Sequence, residues 1–76
     1  MNKNRRKAIE AIKEQIEEMK SSIETVRDEE QESFDNLPEG IQDGDRGQAM
    51  SDAIDNLDSA VSSLEEACDY LTEAQN

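Results

Sequence analysis

Ile9, Ile12, Ile16, Met19, Ile23 and Val26 follow one another at steps of three, four, three, four and three, the spacing that keeps one apolar stripe on one side of a helix. No strand-like alternation competes with it. The intervening Glu, Lys and Gln are good helix formers and neither Pro nor Gly occurs before Pro38, so the pattern predicts a helix from about residue 3 to about residue 33. At 1.5 Å per residue it is ~45 Å long. A second stripe, Met50, Ile54, Leu57, Val61, Leu64, Cys68 and Leu71, again steps by four and three. It runs through a seven-residue repeat, AIDNLDS, AVSSLEE, ACDYLTE, which returns Ala53, Ala60, Ala67 and Ala74 to one heptad position. A second helix over about 46 to 74 follows. Asp45 and Gln48 have the spacing of a capping box at its start.

Between the stripes lies FDNLPEGIQDGDRG, with the only Pro and all three Gly. A connection over about 34 to 46 is longer than most helix connections, which predicts a structured elbow with Phe34, Leu37 and Ile41 folded onto the end of the seam. The two stripes match in reverse order. Ile9 meets Leu71, Ile12 meets Cys68, Ile16 meets Leu64, Met19 meets Val61, Ile23 meets Leu57 and Val26 meets Ile54 in a single register. The expected fold is therefore all-α, an antiparallel helical hairpin of coiled-coil type in one domain, residues 1 to 76. With Ile9 at heptad position a and Ile12 at d, Arg6, Lys13, Lys20 and Arg27 occupy e and face Thr72, Glu65, Asp58 and Ser51. Exposed charge pairs contribute ~0.2 to 1 kcal/mol each, enough to select an orientation and too little to hold the fold.

The opposite flank is small and uncharged, with Ala8, Gln15 and Ser22 facing Ala74, Ala67 and Ala60. Two helices leave their seam open, and small residues let further helices approach closely. Self-association into a four-helix bundle, as a homodimer through Ala53, Ala60, Ala67 and Ala74, is the expectation. A monomeric hairpin and a hairpin completed by another protein are the alternatives.

Composition narrows the function. The 76 residues are 33% apolar and 37% charged, carry a net charge of −12 and contain no Trp and no His. Such a chain is near the composition of disordered segments and folds only through strict patterning, and it is too short for a deep private pocket. Lys3, Arg5, Arg6 and Lys7 are half of the eight bases, residues 28 to 45 hold eight acids and no base, and nothing after Arg46 is positive. Direct nucleic-acid binding needs a basic face and is not expected. The basic start reads either as a small anionic contact or, preferably, as a solubilising segment beside the acidic end of the second helix. No apolar run is long enough for a membrane span or a secretory leader, so a cytoplasmic protein is the expectation.

No catalytic or metal-binding set emerges, and no cofactor is implied. Asp43-Gly44-Asp45-Arg46-Gly47 has the look of a calcium loop, but counting from Asp43 the sixth and twelfth places are Gln48 and Ile54 rather than Gly and Glu. Adjacent pairs such as Glu17 and Glu18 or Glu29 and Glu30 lie on surface helix where water keeps both ionised. Cys68 sits in the apolar stripe with no His or Lys at helical spacing, the setting of a small core residue. Tyr70 projects from the outer face as a candidate contact.

The acidic surface is the remaining candidate. Asp52, Asp55, Glu66, Asp69 and Glu73 line the outside of the second helix. Twenty acids on a rod of ~40 Å is one per ~2 Å, close to the one charge per ~1.7 Å of duplex DNA, dense enough for phosphate mimicry. The same face also reads as merely solvated and solubilising. The elbow DNLPEGIQ, then RGQAM and AIDNLDSAVSSLEEA, resembles a group of short acidic helical proteins carried by bacteriophages and mobile elements of Gram-positive bacteria. That resemblance implies a host-cell cytoplasmic setting in which tiny acidic proteins bind and disable host factors. The functional expectation is a non-enzymatic protein-binding module, an inhibitor or decoy of a basic nucleic-acid-handling host or defence protein that uses the acidic outer faces and the elbow contact residues Phe34, Leu37 and Ile41. The alternative is an assembly protein that associates through its apolar and Ala-rich faces.

Overall fold

A computed structural model describes residues 1–76 as three helices and no strand: α1 (Lys3–Asp35), α2 (Glu39–Gln42) and α3 (Asp45–Gln75). The all-α hairpin expected from the two stripes is the architecture found, with each long helix within two residues of its expected ends. Asn2 caps α1, its Oδ1 accepting from the Arg5 amide at 2.9 Å and so satisfying one of the free N–H groups of the first turn.

α1 runs through Phe34 to Asp35, and the elbow is itself partly helical. Pro38 stands at the N-cap of α2 with φ −58°, where its lack of an N–H costs nothing. Its carbonyl accepts from the Ile41 and Gln42 amides at 2.9 and 3.0 Å. The Gln42 side chain reaches back to donate to the Phe34 carbonyl at 3.0 Å, tying the end of α2 to the end of α1. Phe34 and Leu37 are half-buried as expected of them, but Ile41 is 42% exposed. α2 meets α3 through Gln42, whose backbone lies against Gly47, and Ile41 is left in water.

The expected capping box does not form. Gly44 is the N-cap of α3, in extended backbone and without a side-chain bond. Its carbonyl takes the Gln48 amide at 3.0 Å, so the helix begins before Asp45 can act as its cap. Asp45 instead lies in the first turn, at the positive end of the helix dipole, and Gln48 donates its side-chain amide to Asp52 at 2.8 Å. One turn on, Gly47 is buried where α2 crosses α3. A Cβ there would press on the Gln42 carbonyl group, with the Gln42 carbonyl carbon at 2.5 Å and its Cα at 2.6 Å.

α1 and α3 then run alongside in opposite directions. Near the free ends, Gln75 Nε2 donates to the Arg6 carbonyl at 3.2 Å and to Glu10 at 2.9 Å; nearer the elbow, Arg27 meets Asp58 at 2.9 Å. The result is a rod of 58 × 15 × 11 Å with a radius of gyration of 17.3 Å, against about 11 Å for a compact chain of this length. Its surface is 5509 Å², roughly 800 Å² more than the about 4,700 Å² of a compact monomer of the same mass.

The seam differs from the expected register in two ways. Lys20 meets Glu65 and Arg27 meets Asp58, each one heptad further along the second helix than the Asp58 and Ser51 assigned to them by the stripes. Lys13 does not face Glu65 but donates to Gln75 at 3.0 Å. In addition, α1 is rotated. Its sheltered positions are Ile9, Lys13, Ile16, Lys20, Ile23, Arg27, Glu30, Gln31 and Phe34, all but Gln31 on the a and e rows, with Ile16 buried. The d row is outside: Ile12, Met19 and Val26 are 45, 49 and 53% exposed. The assignment of Ile12, Met19 and Val26 to the seam, opposite Cys68, Val61 and Ile54, is therefore corrected. Across from α1, Ile54 and Cys68 are buried and Met50, Leu57, Val61, Leu64 and Leu71 half-buried.

The two elbow glycines give opposite expectations for the same change. Gly40 has open space around it, so Gly40→Ala should stabilise by about 0.4–1 kcal/mol through the unfolded chain. Gly47→Ala gains as much helix propensity but must push the α2 backbone off α3, and should destabilise by roughly 1–3 kcal/mol. Thermal melts followed by circular dichroism check both; a Gly47→Ala protein as stable as the parent would refute the close crossing.

Candidate interaction faces

Three faces follow from the rotation of α1. The closed flank carries the ion pairs. Lys20 Nζ lies 3.5 Å from Glu65 and 3.6 Å from Glu17, with only 14% of its side chain exposed. Arg27 reaches Asp58 through Nε at 2.9 Å and Asp28 through Nη1 at 3.5 Å. These long side chains lie along the seam and end at the acids next to Leu64 and Leu57, covering apolar surface with their stems while the charges stay wet. Burial works against the charge of Lys20, but Glu17 and Glu65 together outweigh it and raise its pKa above 10.5. The hydrogen bond from Arg27 to Asp58 raises the guanidinium further above its ordinary value. Cys68 is buried as expected of a small core residue, but its thiol lies 3.8 Å from Glu17 Oε1 rather than against Ile12.

The open flank is on the other side. The pairs Lys20–Glu65 and Arg27–Asp58 join the e rows on the closed flank, and the rotation turns the g row of α1 out to solvent, so Ala8, Gln15 and Ser22 are exposed rather than facing Ala74, Ala67 and Ala60. There, Ala53, Ala60 and Ala67 of α3 are half-buried and Ala74 is exposed. Beside them α1 turns out its d row, Ile12, Met19 and Val26. Two shallow depressions mark this face of α1, one lined by Gln15, Glu18, Met19, Ser22 and Ile23, the other by Val26, Glu29, Glu30 and Ser33. Sequence periodicity treats Ile12, Met19 and Val26 as core. The signal that they are not is the e row, where three bases at heptad spacing can flank the a row as well as d can.

The third face is the outside of α3. Asp52, Asp55, Glu66, Asp69 and Glu73 are all exposed on it, and Tyr70 stands among them 76% exposed. None of the five is in an ion pair. Along the 58 Å rod the twenty acids fall roughly one per 3 Å, sparser than the one per ~1.7 Å of duplex DNA because the rod is longer than the ~40 Å expected. At the tip, Lys3, Arg5, Arg6 and Lys7 make no ion pair. They lie at the end where Gln75 meets Arg6, near the negative pole of α3, whose own last turn has no base.

No group of three or more Cys, Asp or Glu is arranged to hold a metal ion, and no helix is long and apolar enough to cross a membrane. No protein-family model, no curated protein and no solved structure matches the chain.

Glu10 reports on the end of the hairpin where the two chain ends meet. The hydrogen bond from Gln75, with the charge of Lys13 beside it, holds its carboxyl below the ordinary 4.5. A lowered folded value means stability that is present above pH 4.5 and is lost as pH falls through the folded pKa. A carboxyl-detected NMR titration should place the Glu10 midpoint below 4.5, and Gln75→Ala should move it back up; an unmoved midpoint would mean that the tie between the chain ends is not formed in solution.

Proposed function

We propose that this chain acts without enzymatic chemistry, as a helical hairpin that works by protein association through the open face of α1. The observation that carries this reading is the d row: three large apolar side chains, Ile12, Met19 and Val26, each about half exposed along one line of a rod. In a monomer of this size they would be left in water, whereas a covering helix would remove them from it at about 25 cal/mol per Å² of apolar surface. The half-buried Ala53, Ala60 and Ala67 alongside permit close approach. This favours the assembly reading, in which the hairpin completes its core by binding a protein surface, a second copy being the simplest.

Sedimentation equilibrium from micromolar to millimolar concentration should find a concentration-dependent oligomer. Met19→Glu should return it to monomer with the hairpin's helical signal retained, because residue 19 lies outside the α1 and α3 seam. Enlarging Ala60 or Ala67 to Arg should also weaken assembly. A chain that remains monomeric throughout would sink the reading.

A second reading rests on Tyr70, an aromatic ring 76% exposed within the unpaired acids of α3. Such a face suits a basic protein partner, with Tyr70 as the anchor and the acids as steering charge. On this reading the protein is a decoy or inhibitor of a basic nucleic-acid-handling factor in a host cytoplasm, the setting implied by the likeness to phage and mobile-element proteins. Binding to such a partner should then weaken steeply with salt and fall with neutral replacements of Asp52, Asp55, Glu66 and Asp69. Affinity unchanged between low and high salt would remove this reading.

A further inference from the structure

Resting on the association reading, we infer that the covering partner is a second copy of the chain, paired α1 against α1 in opposite directions about a two-fold axis beside Met19. Met19 is the midpoint of α1, which spans Lys3–Asp35, and Ile12 and Val26 lie seven residues to either side of it. Antiparallel pairing about that point lays Ile12 on the partner's Val26, Met19 on the partner's Met19 and Val26 on the partner's Ile12, with neither helix overhanging. A two-fold contact of this kind is self-complementary, and the depression around Met19 gives room for the partner's flexible thioether. Ala8, Gln15 and Ser22 on the adjacent row keep the approach small.

Charge selects the direction. Arg5 is on the same row, one heptad before Ile12, and makes no ion pair in the hairpin. In the antiparallel pairing it arrives opposite the partner's Ser33, in the depression lined by Val26, Glu29, Glu30 and Ser33. A guanidinium without a carboxylate thus meets two carboxylates without a base, and the two-fold axis repeats the match at the other end. A parallel pairing sets Arg5 on Arg5 and the acidic ends on each other. Pairing through the Ala row of α3 brings together two helices with no base beyond Arg46. Both carry like charge at short range. The d row is about a quarter-turn from the strip that α3 occupies, since successive residues advance about 100°. The second copy therefore adds to the α1 and α3 contact without displacing it, bringing four long helices together.

The test mixes two single variants of the full chain, Ile12→Cys and Val26→Cys, under mild oxidation, with disulfides assigned by peptide mass so that Cys68 can stay. The antiparallel dimer gives the mixed 12-to-26 cross-link as the main product. In parallel, sedimentation should show Arg5→Glu weakening the dimer about tenfold, as two attractive contacts become repulsive, and Glu29→Arg added to Arg5→Glu should recover most of the loss. A dimer that cross-links 12 to 12 and 26 to 26 overturns the antiparallel arrangement while the association reading stands. A dimer that gives neither cross-link has its contact elsewhere and overturns the inference as well. A protein that sediments as a monomer at every concentration takes the association reading down with it.

Discussion

A pair of helices gives each member one narrow strip of contact, and α1 carries two strips that could fill it. The a row of Ile9, Ile16 and Ile23 is common to both. On one side of it stands the apolar d row, and on the other the e row of Lys13, Lys20 and Arg27. The hairpin uses a and e. Against α3 alone, a d residue can bury only part of its surface. An e-row base lays several methylenes along the seam, at about 0.8 kcal/mol per CH₂ fully buried, and still delivers its charge to Glu65 or Asp58. The d row is what this choice leaves uncovered, so the exposed apolar line is a direct result of how the seam closes.

The elbow holds that arrangement in place. Four of the nine residues between the long helices form α2, and its end sits on Gly47 so closely that no side chain fits beneath it. Gln42 then binds the last turn of α1 through the Phe34 carbonyl. With α1 held by Gln42 and α3 crossed at Gly47, the point where the seam starts is fixed by backbone packing. The apolar stripes, which repeat every seven residues, match nearly as well after a shift of one heptad, and so cannot fix it themselves.

This is also why some of the structure was legible in the sequence and some was not. Helix type and extent depend on local signals, the three-and-four spacing and the placement of Pro38 and the glycines, and these were read to within two residues. The burial of Phe34 and Leu37 followed from their place at the seam's end. Register and rotation depend on interactions that periodicity does not rank. Ile12 and Lys13 are equally well placed beside the a row, and hydrophobicity alone favours Ile12. The cap of α3 was missed by one residue because Gly44, which has no side chain to signal the role, accepts the first helical bond. The exposed d row was therefore hidden behind a correct reading of its periodicity, and Arg5 looked like one base in a solubilising cluster.

A chain of net charge −12 that binds a copy of itself needs its repulsion to be either distant or answered locally. Screening acts over about 8 Å at physiological salt, and the acids on the outside of α3 point away from a second copy seated on the d row of α1. In the proposed pairing, Glu18 borders the depression at the axis and is opposed by no base there, while Glu29 and Glu30 would be met by the partner's Arg5. Added salt thus weakens a favourable contact at the ends and an unfavourable one at the centre, so the apolar row must supply most of the affinity. The same geometry keeps the two functional readings from excluding each other. A partner on α1 leaves Asp52, Asp55, Glu66, Asp69, Tyr70 and Glu73 facing outward, and a two-fold assembly presents that acidic face twice.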